Sequence, residues 1–188
     1  VRLLTLHITE PLPGCVFPAM IAETSAEEAA HRYRATVLTT MRQLKGLNET
    51  RIRIVTDPED AAEAVRFWLL PLLADRWISE GLVFKTDGWE FDFSGNFPPF
   101  PILMTADVRC PQLGARWIQA ALAGIGSSIG SVIGEGENGE IYLECRTNSA
   151  LPVRNLPKLP IIETDQDWQT ALASAIGPAL KKAWEQCA

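Results

Sequence analysis

The 188-residue sequence holds only two histidines, His7 and His31, and four cysteines, Cys15, Cys110, Cys145 and Cys187, with no CxxC pair among them. That dispersal fits no zinc site, whose ligands come as close Cys and His pairs, and it fits reduced, packed thiols instead. A Cys–His catalytic pair can still be counted, but nothing in the sequence sets either histidine beside a thiol. Basic clusters are missing as well: 17 Lys and Arg are scattered against 23 Asp and Glu, for a net charge of -6. No electrostatic footprint for nucleic acid or an anionic membrane remains. Long apolar runs are absent too, since FWLLPLLA, residues 67–74, is far too short to span a bilayer and Pro71 interrupts it. No leader pattern opens the chain, so the expected location is the cytoplasm. No GxGxxG opens the first helix, which removes the usual basis for a flavin or nicotinamide oxidoreductase. There is no internal repeat and no low-complexity tract.

What is present is one globular domain's worth of chain, 47% hydrophobic, with strands and helices in alternation. VRLLTLHI reads as a buried strand, broken by the prolines and glycine of TEPLPG. TSAEEAAHRYRATVLTTMRQL reads as a helix: Thr24 or Ser25 caps it, Glu27 and Glu28 sit in its first turn, and Ala29, Tyr33, Val37 and Met41 recur at helical spacing before Gly46 stops it. RIRIVTD, 51–57, is a second strand. A helix follows with Pro58 in its first turn and a break at Pro71. LVFKT at 82–86 is a short strand, and the aromatic stretch with Trp89, Phe91, Phe93, Phe97 and Phe100 allows another, as core packing or as a ligand platform.

PILMTAD leads into a helix over 112–124 carrying Leu113, Trp117, Ala121 and Leu122 on one face, and SSIGSVIGEGENGEIYLECR reads as strand, glycine-rich turn, strand. The segment after it reads as a loop, LPIIETD as a strand end, and DQDWQTALASAIGPALKKAW as helical pieces broken at Gly177 and Pro178. GEGENGE superficially suggests a phosphate loop, but Glu135, Glu137 and Glu140 would repel phosphate, so a hairpin turn is expected there. Alternation of this kind predicts an α/β fold with a mainly parallel sheet, and ligands in such sheets bind beyond the carboxyl ends of the strands. That rule singles out Thr9 and Glu10, Asp57, Asp107, and Glu163 with Asp165.

The ordered motifs HITEPLPG, EEAAHRYRATVLTTM, TADVRCPQL, VIGEGENGEIYL and LPIIETDQDW, over nearly the whole chain, resemble bacterial glycosyltransferase-A-like proteins of the nucleotide-diphospho-sugar transferase superfamily. The resemblance implies a single three-layer, Rossmann-like GT-A domain over 1–188 and a nucleotide-activated sugar or nucleotide as partner. It implies nucleotide contacts from Thr9, Glu10, Pro13, Gly14 and Arg109. It also implies Asp107 and Asp165 as ligands of Mg or Mn, a hard ion able to bridge the phosphates of a leaving nucleotide.

The departures from that pattern are specific. Where the family carries Arg and Lys after its ProValProGly-like turn, this chain reads GCVFPAM, 14–20, without a cation, and Asn138 stands where the family has an acidic residue. The helix expected between the third and central strands is replaced by the aromatic stretch. Two functions follow: metal-dependent glycosyl or nucleotidyl transfer from a nucleotide donor, or a GT-A-fold binding module that has lost phosphate chemistry. For single residues the bland readings are equally concrete. Asp107 is either a metal ligand or the start of a turn, Arg109 either a phosphate contact, a partner of Asp107 or a surface cation, and Glu163 and Asp165 either ligands or helix N-terminal charge.

Overall fold

The computed structural model describes residues 2–73, 102–147 and 149–188, and the backbone path alone at 82–84. The aromatic stretch containing Trp89, Phe91, Phe93, Phe97 and Phe100 lies outside the described residues.

Seven strands form one sheet: β1 (Arg2–Thr9), β2 (Thr50–Asp57), β3 (Leu82–Phe84), β4 (Leu103–Asp107), β5 (Ser131–Gly136), β6 (Ile141–Arg146) and β7 (Val153–Leu159). Their order across the sheet is β3-β2-β1-β4-β6-β5-β7. Only β6 runs against the rest, antiparallel to both β4 and β5, so the sheet is mainly parallel as the alternating pattern predicts. Registered neighbours Leu4, Ile52 and Met104, then Leu6, Ile54 and Ala106, put apolar side chains on one face. The same register puts Arg53, Thr5 and Thr105, then His7 and Asp107, on the other. The apolar face is the core, joined by Leu143, Cys145 and Val132 from the reversed half.

The described helices are α1 (Pro18–Ile21), α2 (Ala26–Gln43), α3 (Ala62–Leu69), α4 (Ala115–Gly124), α5 (Asp165–Leu172) and α6 (Gly177–Gln186). Helix α2 starts where Ser25 Oγ accepts from Glu28 N at 3.1 Å, and Ala29, Tyr33, Val37 and Met41 are all buried. Three buried threonines interrupt its apolar face without stranding a hydroxyl, because Thr36 and Thr39 donate to the carbonyls of Arg32 and Ala35 four residues back. The third, Thr40, reaches Val108 O at 2.7 Å and so ties α2 to the turn just beyond β4. Pro58 stands ahead of a 3-10 turn, Glu59–Ala61, rather than inside α3. At the other end α3 tightens into a second 3-10 turn, Leu70–Leu72, at Pro71.

The segment expected to be a loop after β6 is an edge strand. β7 pairs with β5 in parallel and ends at Leu159, whereas 160–163 carries no strand. Its side chains are nearly all exposed, so the alternation that marks a strand is missing, and Pro157 is tolerated because an edge strand has one unpaired side. The glycines of GEGENGE also divide: Gly134 and Gly136 lie in β5, and only 137–140 forms the turn, with Gly139 at φ 84. No helix among the described residues is long and apolar enough to cross a membrane.

Candidate functional site

A cleft of about 630 Å³ opens beyond the carboxyl ends of β1 and β4. Its walls combine Val16, Phe17, Pro18 and Ile141 with His7, Thr9, Tyr33, Asp107, Arg109, Glu144, Glu163 and Thr164. Strand order explains this gathering. β6 enters the sheet beside β4 from the opposite direction, so its first residue, Ile141, and the chain leaving β7 arrive at the same end as Asp107.

The first-strand loop is built by its own turn chemistry. Cys15 N donates to Leu12 O at 3.0 Å, Pro13 and Gly14 occupy the middle of that turn, and Gly14 takes φ 90, which suits glycine. Thr9 lines the cleft and its N–H donates to the Tyr33 hydroxyl at 2.9 Å, fastening β1 to α2. Tyr33 is buried, which pushes its phenol up to about 12 despite the lowering effect of the Thr9 N–H. Phe17 meets Tyr33 edge-on at 5.2 Å and forms the apolar wall. Glu10, Pro13 and Gly14 belong to the loop after β1 but are not part of the cleft lining.

At the carboxyl end of β4, Asp107 is both a turn residue and half of an ion pair. Its Oδ1 accepts the backbone N–H of Arg109 at 2.8 Å, closing the turn, while the Arg109 guanidinium grips the same carboxylate, with Nε 3.1 Å from both oxygens and Nη2 2.7 Å from Oδ2. Arg109 Nη1 donates to Glu163 Oε1 at 2.7 Å, and Nη2 also meets Glu140 Oε2. Asn138 Nδ2 holds the other oxygen of Glu163 at 2.9 Å. Three carboxylates from three parts of the chain thus converge on one cation. Burial alone would lower the Arg109 pKa, but the hydrogen bonds and charge of Asp107, with a further contribution from Glu140, raise it, so the guanidinium stays charged.

Asp165 lies outside the cleft lining and belongs to a different network. Its Oδ1 pairs with Arg32, which also donates to Glu28 Oε1 at 2.6 Å and stands 5.4 Å over the Trp168 ring. The Arg32 hydrogen bond holds the Asp165 carboxyl below its ordinary pKa. The structure therefore brings Thr9, Asp107, Arg109 and Glu163 together and leaves Asp165 apart.

His7, Glu140 and Glu144 complete the cluster. Protein around the His7 ring and the charge of Arg53 lower its pKa against a smaller pull from Asp107, which favours the neutral imidazole near pH 7. Glu144 lies in register with Thr105 and Ile133 in the sheet, while its carboxylate has no hydrogen-bond or ion-pair partner among the described residues. The signal for Glu140 and Glu144 was weak, since both depend on β6 pairing with β4 across an antiparallel step that spacing does not reveal. Cys110 and Cys145 are buried, which pushes both thiols up to about 12, and burial likewise raises Cys187 to about 11; no disulfide forms.

A divalent ion would find this donor set already engaged. Both Asp107 oxygens and one oxygen each of Glu140 and Glu163 already accept from Arg109, and the second Glu163 oxygen accepts from Asn138. A metal placed there would face a guanidinium at hydrogen-bond range. Among the described residues no group of three or more His, Cys, Asp or Glu is disposed to hold a metal. The residues as arranged do not fit a bound Mg or Mn.

Glu163 is positioned by the helix that follows it. Thr164 caps α5 by accepting Asp167 N at 3.1 Å, and Asp167 Oδ2 reaches back to Thr164 N at 2.9 Å and Glu163 N at 3.0 Å. Asp167→Ala removes these acceptors and is expected to lower unfolding free energy by about 1–2 kcal/mol. Urea denaturation checks it, with Asp167→Asn expected to keep most of the loss back.

The sheet order, the single reversed strand and the cleft at the strand ends define an open α/β fold of the kind that receives ligands at its carboxyl edge. More closely, the fold is that of the nucleotide-diphospho-sugar transferases. A proposed nucleotide-diphospho-sugar transferase from Desulfovibrio desulfuricans G20 superimposes with a TM-score of 0.70 at 16% identity, covering 99% of this chain and 96% of that one. The 4-diphosphocytidyl-2C-methyl-D-erythritol synthase from Anaerococcus prevotii DSM 20548 does so with a TM-score of 0.50 at 10% identity, covering 92% of this chain and 97% of that one. No protein-family model and no curated protein sequence matches the chain.

Proposed function

We propose that this protein is a binding module on the nucleotide-diphospho-sugar transferase fold whose cleft receives a ligand without a pyrophosphate. The observation that carries the reading is charge. From Leu3 to His31 the sequence contains no Lys or Arg, and this stretch forms β1 after its first residue, Arg2, the loop beyond it and the start of α2.

The cleft itself sets Asp107, Glu144 and Glu163 against Arg109 as its one fixed cation among the described residues. A diphosphate needs several charge-assisted donors to replace its hydration. Here each guanidinium nitrogen of Arg109 already donates to a carboxylate. The apolar wall of Val16, Phe17, Pro18 and Ile141 suits an uncharged ring or an apolar body instead.

The competing reading, metal-dependent glycosyl or nucleotidyl transfer, draws support from the cleft's place at the carboxyl ends of β1 and β4, where nucleotides bind in open α/β sheets. Isothermal titration with uridine, cytidine and guanosine diphosphates, each with and without Mn, separates the two. No saturable binding up to about 1 mM is expected. Mn-dependent binding tighter than about 100 μM, lost in Asp107→Asn, would replace this reading with transfer.

A further inference from the structure

The Tyr33 hydroxyl is only half used. It accepts Thr9 N–H at 2.9 Å, but its own proton has no acceptor among the described residues, although the residue is 4% exposed and lines the cleft. Burial, which pushes this phenol up to about 12, keeps the proton in place near pH 7. Buried hydroxyl donors are normally satisfied, so this one calls for an acceptor oxygen from outside the chain.

A second group in the same cleft lacks a partner. Asp107 and Glu163 are held by Arg109, and that cluster is closed on itself, since Asn138 Oδ1 accepts Glu140 N at 3.1 Å and Asp167 Oδ2 accepts Glu163 N at 3.0 Å. Glu144 takes no part in it. Thr105 faces Glu144 across β4 and β6, and His7 faces Asp107 across β1 and β4, so His7 and Glu144 rise from the sheet face opposite the apolar core. Arg53 stands in the same row three strands away and donates to Thr5 Oγ1 at 3.0 Å, and Arg146 lies two residues farther from the cleft end of β6. Both border an adjoining recess of about 190 Å³ with Glu144, yet neither forms an ion pair with it among the described residues. The His7 imidazole, favoured in its neutral form, offers one donor and one acceptor beside this carboxylate.

We propose that the cleft takes an organic cation: a protonated amine on a ring or short apolar body, with a hydroxyl or carbonyl oxygen next to it. The ammonium meets Glu144 with His7 alongside, the body lies against Val16, Phe17 and Ile141, and the oxygen accepts the Tyr33 proton. A carboxylate in a half-enclosed, partly apolar cleft gains more from an opposite charge than one in open water. Anions meet the reverse, because three carboxylates already share the single charge of Arg109 and Glu144 adds a fourth. This inference rests on the reading of the cleft as a binding site for a ligand without a pyrophosphate.

The probes share one aromatic body. Phenylalaninol carries an ammonium and a hydroxyl, 3-phenylpropanol lacks only the amine, and 3-phenylpropionate carries a negative charge instead. Titrations at pH 7 are followed by ligand-observed NMR. Phenylalaninol is expected to bind wild type with a Kd of about 1 mM or tighter, about tenfold more tightly than 3-phenylpropanol, with no saturable binding of 3-phenylpropionate. Glu144→Gln, at a partly exposed and unpartnered side chain, is expected to melt like wild type, to lose about fivefold for phenylalaninol and to bind 3-phenylpropanol unchanged. Tyr33→Phe is expected to lose about threefold for both alcohols.

If Tyr33→Phe does not fold, 2-phenylethylamine, which lacks the hydroxymethyl group, makes the same comparison in wild type and is expected to bind about threefold more weakly than phenylalaninol. Equal affinity for phenylalaninol and 3-phenylpropanol in wild type overturns the inference, as does no saturable binding of phenylalaninol up to about 10 mM. Unchanged phenylalaninol affinity in Glu144→Gln or Tyr33→Phe overturns it too, as does 2-phenylethylamine binding as tightly as phenylalaninol. Mn-dependent binding of a nucleoside diphosphate overturns the reading beneath it instead, so the two failures are told apart.

Discussion

Gly134→Val is expected to prevent stable folding, and Gly134→Ala to lower the unfolding free energy by about 3 kcal/mol. The cause is a bulge. Gly134 pairs with Leu143 and Glu135 with Ile141, so Tyr142 is an extra residue in β6 with no partner of its own in β5. Its ring is fully buried and lies across Gly134, where an added Cβ would stand 2.5 Å from Cε2 and 2.6 Å from the hydroxyl. Relief by rotation is closed, because the hydroxyl donates to Pro157 O at 2.7 Å and thereby links the bulge to β7.

A chain of this length shifts in Tm by roughly 2–4 °C per kcal/mol, so Gly134→Ala should melt about 6–12 °C below wild type. The diagnostic measurement is non-additivity. In a Tyr142→Ala background the obstacle is gone, and Gly134→Ala should then cost less than about 1 kcal/mol. An equal cost in both backgrounds would show that the ring is not the reason for the glycine.

That glycine also marks where sequence reading stops. Composition at 134–140 signals a turn, and a turn is there, but nothing local distinguishes a turn glycine from one that makes room for a bulged tyrosine eight positions on. The same holds for β7, whose exposed residues and Pro157 carry no period for a reader to find, although its pairing with β5 makes it a strand. By contrast, α2 was legible to within one residue of its cap, with Thr24 and Ser25 both open and Ser25 the one that caps, because the two glutamates and the spacing of Ala29, Tyr33, Val37 and Met41 are local properties. The mainly parallel sheet and the strand-end location of Asp107 were legible for the same reason.

The cluster at the cleft was only partly so. Arg109 and Asp107 are two residues apart, and their pairing could be weighed from sequence. Glu140 and Glu163 lie 31 and 54 residues beyond Arg109 and reach it only because β6 inserts backwards between β4 and β5. Charge likewise gave the cation-free loop before any fold was known, whereas the engagement of Asp165 by Arg32, 133 residues earlier, is a product of tertiary packing.

Arg109→Ala is expected to destabilise the protein more than Asp107→Ala, and a double-mutant cycle between them to give a coupling of about 2–3 kcal/mol. The ordering follows from what each truncation leaves behind. Without Asp107, the guanidinium keeps Glu163 and Glu140 as partners. Without Arg109, three carboxylates remain with no cation among them, and Asp107 is only 16% exposed to the solvent that would have to screen it. Breaking a buried pair by removing one member costs about 3–5 kcal/mol because an uncompensated charge stays behind. Partial exposure of Arg109 places the present case toward the lower end, and Glu140, at 48% exposed, contributes little.

The second observable is salt. Raising ionic strength shortens the Debye length from about 10 Å at 0.1 M to about 3 Å at 1 M. The deficit of Arg109→Ala should therefore shrink in 1 M NaCl, while the deficit of Asp107→Ala, which leaves a balanced cluster, should change much less. Denaturant melts in low and high salt read both quantities. A coupling within error of zero would mean that the Asp107–Arg109 contact is solvent-screened and that the carboxylates are held in place by the backbone restraints of Thr40, Asn138 and Asp167 alone.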